Sequence, residues 1–241
     1  MLKIKNLKIS IKDSVLLDDV NLEVKKGQIH AIMGPRHSGK SSLVHAILGN
    51  SILDISGSIA FDKKSIIKKT IEERCVLGIF TTFQFLPLVD GITNFELTKV
   101  MLKSHNDSRN NNEFEKDYKF YVKKLGLSSN HGHKIVNDET MTATECKKNE
   151  LLHMFLLDPN LIVLDELDKD IESDELESVA SNIVEFVGRE NKAAIVFTNN
   201  TDFLDKLMPT HVSILINGQL QSQHDPTLYK RIIKDDDSYI S

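Results

Sequence analysis

Apolar and polar positions alternate over Leu2, Ile4, Leu7 and Ile9, the period-two pattern of a half-buried strand. Residues 2 to 26 read as two or three strands, with a turn at Asp13-Ser14 and Lys25-Lys26-Gly27 leading onward; together they predict an antiparallel β edge. A mostly apolar run, Ile29 to Met33, comes next, and Leu43, Val44, Ala46, Ile47 and Leu48 then recur at helical spacing. A buried strand, a short connection and a helix are predicted there. Ser58 to Phe61, after the turn signal Ser56-Gly57, is a short strand, and Lys63 to Glu73 is a charged helical stretch; both read as connectors. Val76 to Thr82 is an apolar strand that ends at Phe83-Gln84, ahead of the breakers Pro87 and Gly91. Residues 92 to 126 are helical in pattern, broken by the polar tract His105 to Asn112, which lacks apolar periodicity and is expected to be a mobile loop without chemistry.

Further along, His131 and His133 flank Gly132. Without further ligands nearby, a solvated turn is expected there rather than a metal site. Thr142 to Glu145 fits the capping box [ST]xx[DE], and Leu151, Leu152, Phe155 and Leu156 form an apolar face beyond it. The strand Leu161 to Leu164 runs directly into Asp165-Glu166. A helix over Asp174 to Val187, strands Ala193 to Phe197 and Val212 to Ile216, and a turn at Asn217-Gly218 complete an α/β pattern. The acidic tail Asp235 to Asp237 reads as a solvated charge run.

The connection between the first buried strand and its helix carries the chemistry. Gly34-Pro35-Arg36-His37-Ser38-Gly39-Lys40-Ser41-Ser42 matches GxxxxGK[ST], the Walker A phosphate loop, in the strand-to-helix context that the motif requires. Gly34 and Gly39 let successive backbone N–H groups and the helix N-terminus face a polyphosphate. Lys40 is then placed for the β/γ-phosphates, and the Ser41 hydroxyl for a Mg²⁺ ion bridging them. A strand ending in two acids is the Walker B pattern: Asp165 holds Mg²⁺ through its water shell, and Glu166 orients or deprotonates the attacking water. Gln84, at a strand end between these motifs, is a candidate contact to Mg²⁺ or to that water. ATP and Mg²⁺ are the expected cofactors, held by 34–42 with Ser41, Gln84 and Asp165 as metal ligands.

Composition narrows the field. At 241 residues and 40% apolar content the chain is long enough for one large domain with a full core. Net charge −5 and pI near 6.0 give no electrostatic footprint for nucleic acid. Cys75 and Cys146 are too few for a disulfide framework, so a reducing compartment is expected. Met1 leads straight into the first strand, and no apolar run approaches ~20 residues. Neither a leader peptide nor direct membrane insertion is expected, and the location expected is cytoplasmic, with a plastid or other organelle stroma as the alternative.

Walker A, Gln84, a capped helix ahead of Walker B and a strand ending Thr198-Asn199 follow the order of ABC-type ATPases. The stretches IHAIMGP, LGIFTTFQF, KKNELLHMFLLDPNLIVLDE and HVSILINGQL resemble the SufC family, the ABC ATPases of the SUF iron–sulfur cluster assembly system. The resemblance implies a P-loop NTPase fold of the ABC type over 1–241, with an antiparallel β edge and a helical subdomain at about 85–160. It also implies SufB- and SufD-like scaffold partners docking between Gln84 and about residue 105, and a nucleotide-dependent dimer with itself or a paralogue. The sequence departs from that family at several places. The signature SGGE is Thr142-Ala143-Thr144-Glu145, whose loss of two glycines predicts crowding of the phosphate by Ala143 and Thr144, with the helix N-terminus and Thr142 hydroxyl remaining as donors. The SGLD after Walker B is Lys169-Asp170-Ile171-Glu172, the switch histidine is Asn199, and the Asn-Gly inside Walker A is Arg36-His37, so His37 must adopt the glycine's backbone geometry. Ile11 stands where many ABC ATPases stack an aromatic ring on adenine, so base stacking is expected to be weak. Three readings remain: a slow or partner-dependent ATPase of a SufBCD-like complex, a hydrolysis-impaired nucleotide switch, and the nucleotide-binding subunit of a membrane transporter.

Overall fold

The computed structural model describes residues 1–12, 14–82, 91–105, 107–136 and 141–223. Two sheets organise it. In the first, β1 (Leu2–Ile11) and β2 (Ser14–Val24) pair antiparallel, and β4 (Asp54–Phe61) and β5 (Lys64–Ser65) extend the sheet in the order β2-β1-β4-β5. This is the predicted antiparallel edge. The turn signal Ser56-Gly57 is not a turn, however: both residues lie inside β4, opposite a register break between Lys5 and Lys8, where Asn6 takes a left-handed φ of 47°. A bulge uses the same residue types as a turn because both need unusual backbone angles.

The second sheet has the order β10-β9-β3-β8-β7-β6, built from β3 (Ile29–Met33), β6 (Ile79–Thr81), β7 (Leu161–Asp165), β8 (Ala193–Phe197), β9 (His211–Ile216) and β10 (Gln219–Gln223). Its strands are parallel except β10, which returns antiparallel along β9. Side chains leave alternate faces of these strands, so each supplies two cores. Ile162, Leu164, Ala194 and Val196 face α5 (Ala143–Leu157), α6 (Leu176–Val187) and α7 (Thr201–Leu207). Leu161, Val163, Ala193, Ile195 and Phe197 face α1 (Lys40–Leu48) and the antiparallel sheet. That is why these strands read as unbroken apolar runs.

Between the sheets, α2 (Ile71–Val76) takes up part of the stretches assigned to a charged helix and to an apolar strand. Its Arg74, one residue past the stretch read as a connector, packs against the end of α1. The guanidinium is buried and donates to the carbonyls of Ala46 (2.7 Å), Ile47 (2.8 Å), Ile67 (3.2 Å) and Lys69 (3.0 Å). It thereby adds donors to the carbonyl end of α1 and complements its dipole. Burial lowers the Arg74 pKa, against the pull of Glu73.

The helical half holds α3 (Asn94–Ser104) and α4 (Asn111–Lys124), each started by a capping box, at Thr93/Glu96 and Asn110/Glu113. Within the polar tract between them Arg109 is pinned, not free: it bonds Asp107 and Asp117 (3.0 Å) and donates to the Leu156 carbonyl (2.6 Å). His131 is likewise no solvated turn. It is buried, and its Nε2 pairs with Asn149 Oδ1 at 2.8 Å while Asn149 Nδ2 donates to Asn94 Oδ1 at 3.1 Å. His133 is exposed as expected. Deeper still, His153 Nε2 lies 3.1 Å from Thr98 Oγ1, whose own hydroxyl donates to the Asn94 carbonyl, so the imidazole is the donor.

No helix among the described residues is long and apolar enough to cross a membrane. The tail Asp235 to Asp237 lies outside the described residues.

Arg74→Met removes four donors from buried carbonyls and is expected to cost ~3 kcal/mol or more, read as a fall in the urea midpoint. A second expectation concerns acid. Complete burial brings His153 down to about 4, against ~6.5 for an unfolded histidine. The unfolded chain then binds the extra proton, so stability is full above pH ~6.5 and falls between 6.5 and about 4, by roughly 2 kcal/mol at pH 5. His131, lowered mainly by burial, acts with the same sign. Urea midpoints at pH 7.5 and pH 5 check this, and His153→Gln should flatten the difference.

Candidate functional site

The carboxyl ends of parallel strands β3, β8 and β7 lie side by side, the edge where open α/β sheets bind ligands. Each end carries one predicted element: the phosphate loop after β3, Asn199 after β8, and Asp165-Glu166 after β7. The sequence scatters them over 165 positions; the sheet order puts them together.

The loop is held tightly. A Cβ on Gly34 would strike the Leu215 carbonyl of β9, and Ser38 Oγ would lie 2.9 Å from it, so only glycine fits where β3 passes β9. Gly39 caps α1 with a left-handed φ of 102° against Leu17 of β2. His37 has φ 64°, the glycine-like geometry expected of it. Arg36 is exposed, Pro35 half-buried. Lys40 is buried at the first turn of α1; its ammonium donates to the Gly34 carbonyl and, at 3.0 Å, to the Pro35 carbonyl. Burial lowers the Lys40 pKa, opposed by the negative charges of Glu166 and Asp165. Those carboxylates therefore stand within electrostatic reach of the ammonium.

Asp165 ends β7 buried, its N–H donating to Thr82 Oγ1 at 3.2 Å. Glu166 turns the chain sharply with φ 49° and donates its N–H to the Phe197 carbonyl at 2.9 Å. Its carboxylate keeps 44% exposure and a loose 3.9 Å pair with Lys169, an interaction worth little in water. Asn199 pairs with Gly34 twice: its Oδ1 accepts the Gly34 N–H at 3.1 Å and its Nδ2 donates to the Gly34 carbonyl at 2.9 Å.

Whether a nucleotide and Mg²⁺ fit can be judged from these groups. Ser38 Oγ is buried inside the loop with no hydrogen-bond partner among the described residues, an orphan that an anion's oxygen would satisfy. The α1 N-terminus lacks a side-chain cap, leaving its N–H groups for the same anion. Ser41 is exposed and Ser42 half-buried on that first turn. A hydroxyl and a buried carboxylate suit Mg²⁺, a hard ion that keeps most of its waters. Gln84 lies outside the described residues. Ile11 is 37% exposed at the end of β1 and offers no ring for a base to stack on.

The signature segment opens α5. Thr142 caps α5, with its hydroxyl accepting from Glu145 N at 3.1 Å and the Glu145 carboxylate accepting from Thr142 N at 3.0 Å; the predicted capping box is present. Thr144 lies on the first turn of α5. It is buried, and its hydroxyl accepts the Glu172 N–H at 3.2 Å, while Lys148 one turn on pairs with Glu175 at 2.7 Å. A glycine at 144 would leave Glu172 N unpaired, so the added side chain is used within the chain. Ala143 is exposed. No hydrogen bond among the described residues joins Thr142, Ala143 or Thr144 to the phosphate loop. Asp170 keeps a left-handed φ of 63° at the position of the family's glycine.

One group was not singled out from the sequence. Asp168 is buried beside the ends of β7 and β8, where burial raises its pKa against hydrogen bonds from Thr198 and Asn200. An aspartate three residues past Walker B, facing Thr198-Asn199-Asn200, was the available signal. Thr144→Val should leave the Glu172 N–H unpaired and lower stability by ~1 kcal/mol in urea unfolding, with Thr144→Ser costing less than half of that.

Comparison with known proteins agrees with this geometry. Residues 17–169 match the family model described as ABC transporter. A probable ATP-dependent transporter ycf16 of Trieres chinensis is 35% identical over 226 residues, covering 91% of this chain and 89% of the relative. A probable ABC transporter ATP-binding protein of Streptococcus pyogenes serotype M3 is 31% identical over 239 residues, covering 98% and 93%. Among solved structures, a nucleotide-free ATP-binding cassette from an ABC transporter superposes with a TM-score of 0.80 at 22% identity, covering 98% of this chain and 95% of that one. A dimeric cassette in a post-hydrolysis state bound to ADP and Pi gives 0.79 at 18%, covering 93% and 98%. The chain belongs to the ABC transporter ATPase family and has the ATP-binding cassette fold.

Proposed function

We propose that this chain is the ATP-hydrolysing subunit of a SufBCD-like iron–sulfur cluster assembly complex, in which nucleotide-driven closure and opening rearrange a SufB/SufD-type scaffold. The observation that carries the hydrolytic reading is Glu166. Its carboxylate is half in water at the edge where Lys40 and the phosphate loop meet, a placement suited to orienting and deprotonating a water beside a γ-phosphate. Lys40 and the loop amides bind the β- and γ-phosphates and offset charge as the terminal P–O bond breaks. Ser41 and Asp165, with Gln84, would hold the Mg²⁺ that neutralises the departing ADP. A second chain, a copy or a paralogue, would present its α5 N-terminus and Thr142 hydroxyl across the site.

The assignment to cluster assembly rests on the SufC-like stretches around the phosphate loop, Gln84, Walker B and the end of β9. A transporter cassette is the second reading, favoured by the names of the relatives, which speak of transport. The degenerate TATE segment and Asn199 favour a third, a nucleotide switch without turnover; Glu166 opposes it.

Steady-state phosphate release from Mg-ATP, by the protein alone and with SufB- and SufD-like partners, tests the reading. Turnover should exceed that of Glu166→Gln by ~10²-fold or more, the scale of one lost transition-state group, and rise with the partners. Release no greater than the variant's under both conditions refutes hydrolysis. Co-purification with a polytopic membrane chain instead of the scaffold pair refutes the assembly role.

A further inference from the structure

We infer that Asn199 is a positioning residue that clamps the phosphate loop, acting on Gly34 and not on the terminal phosphate of the nucleotide. The inference rests on the nucleotide-binding reading above and concerns how this chain's loop is kept in shape.

Asn199 presents a donor and an acceptor side by side, and both polar groups of one residue, Gly34, meet them at 3.1 and 2.9 Å. That is the pairing a neighbouring strand gives a residue in a ladder. The side-chain amide thus continues the sheet for one residue past the end of β3, at the point where backbone pairing to β8 has stopped at Ile32 and Phe197. The clamp is itself held. Thr198 is buried with its N–H on the Ile32 carbonyl at 3.3 Å, and Asn200 caps α7 by accepting from Phe203 N at 3.0 Å. Asn199 lies between two anchored residues.

Gly34 needs this support for a specific reason. Its carbonyl is shared with the Lys40 ammonium, and Lys40 must give up the Gly34 and Pro35 carbonyls to reach a polyphosphate. Asn199 then remains as the hold on the Gly34 peptide, keeping the loop amides aimed at the anion. The residue type matters. A carboxylate cannot donate to the carbonyl, and the two ring nitrogens of an imidazole point too far apart to meet both groups of one residue. A group that serves the loop backbone also has no preference for the third phosphate. Diphosphate and triphosphate nucleotides should therefore depend on it equally.

The test is equilibrium binding of Mg-ADP and of the non-hydrolysable triphosphate Mg-AMP-PNP to wild type, Asn199→Ala and Asn199→Asp. Wild type must bind both; failure to bind either refutes the nucleotide reading and this inference with it. Loss of both backbone hydrogen bonds in Asn199→Ala is expected to weaken both ligands by about tenfold or more, and loss of the donor in Asn199→Asp to weaken both as well, with the ratio of their affinities unchanged within about twofold in each variant. Thermal melting of the unliganded variants should stay within a few degrees of wild type, separating loop positioning from a general loss of stability. In turnover, KM should rise more than kcat falls. Selective loss of AMP-PNP binding in Asn199→Ala would overturn the clamp by placing Asn199 on the γ-phosphate, as would undiminished binding of both ligands in the two variants.

Discussion

The peptide of Gly34 is the constraint on which the site depends. There β3 ends, the Leu215 carbonyl of β9 comes too close for any Cβ, and the Asn199 amide after β8 takes both backbone groups. Three adjacent parallel strands are thus fixed to one another at a single residue. A fourth, β7, delivers Asp165 and Glu166 to the same edge because it pairs with β8 residue for residue up to Asp165 and Phe197. Loop shape and the placement of Asp165 and Glu166 beside it therefore share one origin, the order and register of a buried parallel sheet.

Non-glycine residues of the loops at this edge hold left-handed backbone angles. His37 and Asp170 replace glycines of the family pattern and keep left-handed angles, φ 64° and 63°. Each such residue costs on the order of 1 kcal/mol, which persists only where neighbouring structure imposes it. Thr144 shows a third solution, since the new side chain points inward to bond the loop after Walker B. The signature helix and that loop are consequently joined within one chain, by Thr144 with Glu172 and by Lys148 with Glu175. Motion of one should carry the other.

The helical half is held by a different balance. Asn94, Asn149, His131, Thr98 and His153 form a buried polar network among α3, α5 and the turn at 131–133. Such networks stabilise only when their partners are in place, and burial disfavours the charged form of both imidazoles in this one. Arg74 plays the corresponding part at the far end of α1, where backbone carbonyls alone receive its charge.

The sequence by itself determined the phosphate loop, the acid-terminated strand, the capped α5 and the α/β class. Each is a local matter of periodicity, a glycine at a turn, or a cap three residues from its partner, and short-range rules suffice for those. It misjudged Ser56-Gly57, Arg109 and His131, and passed over Arg74, because a polar or flexible residue looks alike whether its partner is water or a distant backbone. It also found Asn199 and Thr144 at family positions but not what they touch. Only tertiary structure decided that, since Gly34 lies 165 residues from Asn199 and Glu172 lies 28 from Thr144. Those separations are closed by strand order and helix packing, which no local pattern encodes.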